Sequence, residues 1–531
     1  MDLADILVWV VVTSCLAFVV WGWRVDRDNM RGWLWICGPL LVLTLTGFFA
    51  GWRGLMVGGE IAWAALVLAP SMLSLAFTRC QSRQRFGAAR RVAMVIRLLH
   101  PGDGWKELPE LMRALDLAQH GQEAEALAIL RRHENVQTAN GLVAASQLYR
   151  ITNRWEDLME WRKEHLSDAW LTRHPGFLLV VLRAFGETGD LNAMLAWFER
   201  FERQIEHLPI PSRSHCRLSI YAFCGRSSRV EQVFRGPLSA VPADVQEFWM
   251  ATALAAEGNQ EARSRFETLS SSRDHLLRSA ARRRLSHALA NPRETLSDSS
   301  LALLSRVEQN HDQEERFGSQ PGLWTRRAVA TQLLLGANLI LFALELTQGG
   351  STNIHALFKL GALHYGAVRE GQWWRLGSNL FLHYGAVHLS MNLFALGWLG
   401  PFVESALGSR RFLVVYLLAG IGSSGAALLK MAILSPDQFL VGASGAIMGL
   451  IGATAAIAFR GWRRERARPA SRRLVFLLVI LATQTVFDLL TPVVSMTAHL
   501  AGAACGFIVT SLLKHPGSER RAPETTRGAA R

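Results

Sequence analysis

Residues 441–459 read VGASGAIMGLIGATAAIAF, a run of small and apolar residues without a charge. Such a run is a membrane-spanning helix, since a bilayer's hydrocarbon core takes about 20 apolar residues to cross. Ser444 stands at its start, within Gly442-Ala443-Ser444-Gly445, with Gly449 one turn on. That tetrapeptide has two readings. Small residues let membrane helices pack closely, and a serine between small residues can also be a nucleophile. In a chain with 44 glycines the motif alone is weak, and packing is the default.

Eight further stretches have the length and apolarity of spans: 6–23, 33–52 and 61–78 near the start, and 328–346, 384–403, 412–434, 474–490 and 496–513 around the first. Nine spans are therefore expected. A length of 531 residues suggests about three domains. A hydrophobic content of 50% with only 19% charged residues excludes disorder and a single water-soluble body. The cysteines (Cys15, Cys37, Cys80, Cys216, Cys224, Cys505) are scattered without a CxxC pair, which excludes a zinc ribbon, a thioredoxin-like site and a disulfide scaffold. The first stretch follows Met1-Asp-Leu-Ala-Asp5 and has no basic region, unlike a signal peptide.

A net charge of +14 could mean nucleic acid or cytoplasmic loops, and the position of the arginines decides. Residues 460–473 read RGWRRERARPASRR and join two spans, so the positive-inside rule makes them cytoplasmic. Counting outward, Arg410-Arg411, Arg326-Arg327, Arg24, Arg27, Arg31, the run Arg79 to Arg91 and the tail with Lys514, Arg520 and Arg521 fall on the same side. The N-terminus would then be outside. The basic excess is topology, and no nucleic-acid partner is expected.

From about Phe86 to Leu323 hydropathy drops and apolar residues recur at helical spacing, as in Leu111, Leu115 and Ala118. Turn-like segments begin at Gly121, Asn153, Gly189, Gly225 and Gly258, spaced by 32, 36, 36 and 33 residues. This resembles a tetratricopeptide-like array of helical hairpins, whose period is about 34 residues, although the full Trp-x-x-Leu-Gly-x-x-Tyr signature is missing. An ordinary helical domain with regularly spaced turns is the alternative. Thr268 to Gln320 look like a last helix or two and then a polar linker. The expected organisation is thus three N-terminal spans (1–80), a cytoplasmic helical domain (81–300), a linker (301–323), a membrane domain (324–514) and a basic cytoplasmic tail (515–531).

Two histidines inside spans change the reading of Ser444. Ionisable groups in a membrane are costly and point to function. His499 lies in Ala498-His-Leu-Ala-Gly502-Ala-Ala-Cys-Gly506 near the start of the last span. His388 and Asn392, four apart and so on one helix face, lie near the start of the fifth. On the inferred topology these three spans descend from the outer side, which brings His388, Ser444 and His499 to a similar depth.

Together these residues resemble a rhomboid intramembrane serine protease. The resemblance covers the six-helix core, about 190 of 531 residues. Its pieces come in family order: Gln372-Trp-Trp-Arg375, His383 with His388-x-x-x-Asn392, Glu404 through Leu407-Gly-Ser-Arg410, Gly442-x-Ser-Gly445, and Ala498-His-x-x-Gly502-x-x-x-Gly506. It implies Ser444 as nucleophile and His499 as general base. The backbone N–H of Ser444 with the His388 and Asn392 side chains would form the oxyanion hole. Asp488, eleven residues before His499, is a tempting third member. The family works without one, so the expectation is a Ser–His dyad. Gly445, Gly449, Gly502 and Gly506 would let the two helices meet. His383 would pin a loop by a hydrogen bond, with a functional role as the alternative, while Trp373, Trp374 and Arg375 would sit among headgroups. Met448 departs from the family, where an aromatic residue often stacks on the base, and the histidine would be held less firmly.

The fold expected is all-α and polytopic: a rhomboid-like bundle, three extra membrane helices and the helical domain. The activity implied is a serine-type endopeptidase cutting transmembrane substrates near the outer boundary. It would have no cofactor or metal and would lie in the lipid bilayer of a bacterial inner membrane, with a cytoplasmic protein partner on the helical array. There is no His-Glu-x-x-His and no pair of membrane aspartates for other intramembrane proteases. Gly420-x-Gly422-x-x-Gly425 mimics a dinucleotide fingerprint but lies within a span. The rivals are a non-catalytic rhomboid-fold protein that binds membrane clients, and a scaffold acting through the helical domain.

Overall fold

The computed structural model describes residues 3–24, 31–100, 104–135, 137–318, 328–491 and 494–513. Among these the chain is almost wholly helical, with one pair of two-residue antiparallel strands, Leu363–His364 and Phe439–Leu440. It divides into two compact units, Met1–Val307 and Glu308–Arg531. This is an all-α, multi-pass membrane protein. Seven of the described helices have the length and apolarity to cross a bilayer, against nine expected. The last apolar helix, Met496–Leu512, has only 17 residues, because Ser495 caps it and sets its start. The first expected span forms the helix Leu3–Arg24. Arg27, Arg326-Arg327 and the basic tail lie outside the described residues.

In the first unit the third span is longer than its sequence stretch. Arg53–Ser82 is continuous over 30 residues, roughly 45 Å at the helical rise. Pro70 explains its irregular middle. Proline has no N–H for the carbonyl four residues back, and a π-helical turn at Ala64–Leu68 precedes it. The Leu66 carbonyl instead accepts from Nε2 of buried His100 at 2.8 Å.

The segment beyond folds into helical hairpins. Gly121, Asn153, Gly189, Gly225 and Gly258 all have left-handed backbones at the corners. The first two corners join Leu108–Gln119 to Glu123–His133 and Ala139–Thr152 to Trp155–His165. Apolar faces meet in a core around Trp155, Leu158, Tyr221 and Phe223. Buried Glu187 there binds Arg284 at 2.6 Å and Arg183 at 3.2 Å. Burial pushes this carboxyl up, but the two guanidiniums outweigh burial and hold it below the usual range.

The linker expected at 301–323 contains the boundary between the two units and is helical where it is described. Its residues up to 318 continue the helix Asp298–Gln313 and a π-helical turn, Glu314–Gly318. Leu304, Val307 and His311 form a buried stripe at helical spacing, which the Ser, Arg, Glu and Asp around them disguised.

Six long helices build the second unit: Val329–Thr347, Gly385–Leu407, Ser409–Leu434, Ser444–Glu465, Arg468–Leu490 and Met496–Leu512. The one beginning at Ser444 is central, with most residues from Gly445 to Ala458 buried. By contrast Val475, Phe476, Val479, Val486 and Leu489 of Arg468–Leu490 are exposed, as a lipid-facing helix requires. Arg460 donates to the Thr510 and Ser511 carbonyls, satisfying the end of the last helix.

Glu404 ties the first membrane helix of this unit to the second. Val329–Thr347 has no side-chain cap of its own. The buried Glu404 carboxylate accepts the Ala330 and Thr331 N–H groups at 2.8 Å each, and the Thr331 and Ser409 hydroxyls at 2.7 Å. Replacing Glu404 with Ala orphans four donors at once. The variant is expected to unfold earlier in a detergent thermal melt, by on the order of 2–4 kcal/mol. An unchanged midpoint would remove Glu404 from this role.

Candidate active site

Ser444 is placed by the segment before it. The Gly442 N–H donates to the carbonyl of Asn379 at 2.9 Å. Buried Asn379 is itself held, its amide donating to the Arg375 carbonyl at 2.6 Å and the Ser424 hydroxyl at 3.0 Å. Gly442 has φ +127°, and a Cβ there would lie 2.7–2.8 Å from the His388 imidazole. Only glycine allows both the backbone turn and the ring. Ser444 then opens its helix, so its N–H lies in the first turn, where no earlier intrahelical carbonyl can take it.

His499 reaches Ser444 because their two helices touch along their backbones. A Cβ on Gly502 would overlap the Gly445 carbonyl, and one on Gly506 the Gly449 carbonyl. His499 Nε2 lies 2.9 Å from Ser444 Oγ. On the other side of the ring, Nδ1 lies 2.7 Å from Asp488 Oδ2. The second Asp488 oxygen accepts from Gln484 Nε2 at 2.8 Å. The Asp488 side chain is 1% exposed and that of His499 7%. With Asp488 as a carboxylate, which can only accept, Nδ1 would carry the ring proton and Nε2 would be left to accept from Ser444.

His388, Ser444 and His499 line one small cavity of about 70 Å³, with Ser495, Asn379 and Ser424 among its other walls. Asn392 is buried behind Gly442, and its Nδ2 has no protein partner.

Other expected positions fall out differently. His383 does secure a loop, but by its backbone N–H, which donates to Glu345 at 2.9 Å; both ring nitrogens lack a protein partner. Arg375 is not among headgroups. It is 4% exposed, donates to the Phe358 and Ala362 carbonyls at 2.7 and 2.8 Å and stacks on Phe358. Trp373 and Trp374 are exposed. Met448 is buried, and among the described residues no aromatic ring stacks on His499. Gly420 is a packing residue, where a Cβ would strike Leu380.

Sequence reasoning missed Gln484 and Asn379 and set Asp488 aside. Gln484 and Asp488, two polar residues four apart in a span, were a usable sign of a shared face. Asn379, in a loop among other polar residues, gave no such sign.

Part of the chain is similar to known proteins. Residues 370–516 match the model of the Rhomboid domain. The chain is 32% identical over 205 residues to Rhomboid protease GluP of Bacillus subtilis, covering 38% of this chain and 39% of that protein. It is 32% identical over 161 residues to RHOMBOID-like protein 5 of Arabidopsis thaliana, covering 30% of this chain and 50% of that one. The chain thus spans between about two-fifths and half of these relatives. To Putative rhomboid protease YdcA of Bacillus subtilis it is 33% identical over 146 residues, 27% of this chain but 69% of the relative. With the serine, histidine and glycine positions meeting as they do across two membrane helices, the chain belongs to the rhomboid family.

Proposed function

We propose that this chain is an intramembrane serine endopeptidase that cleaves transmembrane protein substrates near the outer boundary of the bilayer. The observation that carries this reading is the 2.9 Å contact between His499 Nε2 and Ser444 Oγ inside the cavity. Ser444 Oγ attacks the scissile carbonyl carbon as its proton passes to His499 Nε2. The oxyanion takes hydrogen bonds from the Ser444 N–H, His388 and Asn392. Collapse breaks the C–N bond, and the proton on Nε2 goes to the leaving amine. A water, deprotonated by the same nitrogen, then releases the acyl group and restores Ser444.

The outer location is supported by the run of the helices. His388, Ser444 and His499 each lie in the first turn of a helix, and Arg463 and Arg464 lie at the far end of the Ser444 helix, roughly 30 Å away. With that arginine-rich end inside, the site faces out. The rhomboid resemblance implies substrates whose helix unwinds easily and carries a small residue before the cut. The helical hairpins would form a tetratricopeptide-like array on the cytoplasmic side. There they would gather a substrate's tail or a protein partner and raise its effective concentration.

In proteoliposomes, the wild-type chain is expected to cut a single-span protein with a Gly- and Ala-rich segment near the outer boundary. Ser444→Ala and His499→Ala are each expected to lower the rate by at least about 10²- to 10⁴-fold. Cleavage that survives Ser444→Ala would overturn the mechanism and bring forward the client-binding alternative. In intact cells, a cysteine at Glu370 should react with an impermeant maleimide, and one at Arg464 should react only after lysis. Reaction at 464 in intact cells would reverse the topology.

A further inference from the structure

We infer that Asp488 is the positioning residue of a Ser444–His499–Asp488 triad, and that Gln484 fixes which of its oxygens faces the histidine. This rests on the reading of Ser444 and His499 given above and goes beyond the dyad that the resemblance implies. Three observations carry it. Asp488 Oδ2 accepts from His499 Nδ1 at 2.7 Å, on the ring edge opposite the 2.9 Å contact with Ser444. Asp488 is shut away, its side chain 1% exposed. The other orientation device of the family is missing here, since Met448 replaces the aromatic ring and no ring stacks on His499 among the described residues.

A carboxylate in this position does two things. It holds the proton on Nδ1, which leaves Nε2 free to take the Ser444 proton, and it stabilises the imidazolium that results. Asp488 takes no proton in this scheme; the transferred proton stays on Nε2 until it reaches the leaving amine. A buried carboxylate inside a membrane span is costly unless its lone pairs are used. Here both oxygens are used, one by His499 and one by Gln484 at 2.8 Å. The charged groups around the ring are few. His388 faces the same cavity from its own helix, and the His383 ring lies 5.3 Å from that of His388.

Gln484 makes the test sharp. In Asp488→Asn, Gln484 still donates to the Oδ1 position, so the new amide N–H₂ occupies the place of Oδ2 and points at Nδ1. That drives the ring proton to Nε2, the wrong nitrogen for accepting from Ser444. Adding Gln484→Leu lets the asparagine turn its carbonyl to Nδ1 and restores the productive tautomer.

The experiment measures kcat and KM in proteoliposomes on the single-span substrate above, with thermal midpoints recorded for each variant. The set is the wild type, Asp488→Asn, Asp488→Asn with Gln484→Leu, Asp488→Glu and Ser444→Ala. Asp488→Asn is expected to lower kcat by on the order of 10- to 1,000-fold with KM unchanged and the midpoint close to wild type. Adding Gln484→Leu, or using Glu in place of Asn, should return part of kcat. Wild-type kcat in Asp488→Asn beside an inactive Ser444→Ala would overturn the triad and leave the dyad standing. A loss that tracks the midpoint and is not rescued would reduce Asp488 to a helix tie and overturn its role in positioning. An inactive wild type, or an active Ser444→Ala, would overturn the protease reading itself.

Discussion

Backbone contact between two membrane helices is the constraint on which the rest depends. The Gly445 and Gly449 carbonyls sit where side chains on Gly502 and Gly506 would be. Gly452 meets the Ala503 carbonyl in the same way. In lipid there is little hydrophobic gain in bringing helices together, so close packing and polar contacts must do it. These three contacts fix both spacing and register. Once they are fixed, the first turns of both helices bring a hydroxyl and an imidazole to 2.9 Å. The pair needs no flexible loop to bring it together.

Several polar groups sunk in this domain are used to hold backbone or another functional group. Glu404 takes the first N–H groups of the neighbouring helix, Arg375 two loop carbonyls, and Asn379 the segment before Ser444. Water is not at hand to satisfy such groups inside a bilayer, so an unpaired one is expensive. These polar residues therefore act as fixed pins within the bundle. His383 and Asn392 keep buried side-chain nitrogens without a protein hydrogen bond.

Much of this was readable in the chain. Length and apolarity gave the membrane helices, and recurring Gly and Asn gave the five corners of the hairpin domain, because left-handed turns favour those residues. Ser444, His499, His388 and Asn392 were legible because charge and polarity inside a span have few bland explanations. What escaped depended on tertiary contacts. Asp488 could be seen, but only packing shows that its carboxylate meets the ring edge left open by the serine. Arg375 sits beside two tryptophans and resembled a headgroup anchor, yet its guanidinium turns inward. The stripe of Leu304, Val307 and His311 was hidden by polar neighbours, and the length of Arg53–Ser82 was hidden by mixed residues at both ends.

The central claim is that His499 activates Ser444 for attack. Detergent-solubilised full-length protein, labelled with a fluorescent fluorophosphonate and mapped by peptide mass spectrometry, addresses it without a known substrate. The adduct should lie on Ser444 in the wild type and be lost in Ser444→Ala and in His499→Ala. An adduct that forms on Ser444 without His499, or none in a wild-type chain shown to be folded, would contradict the account.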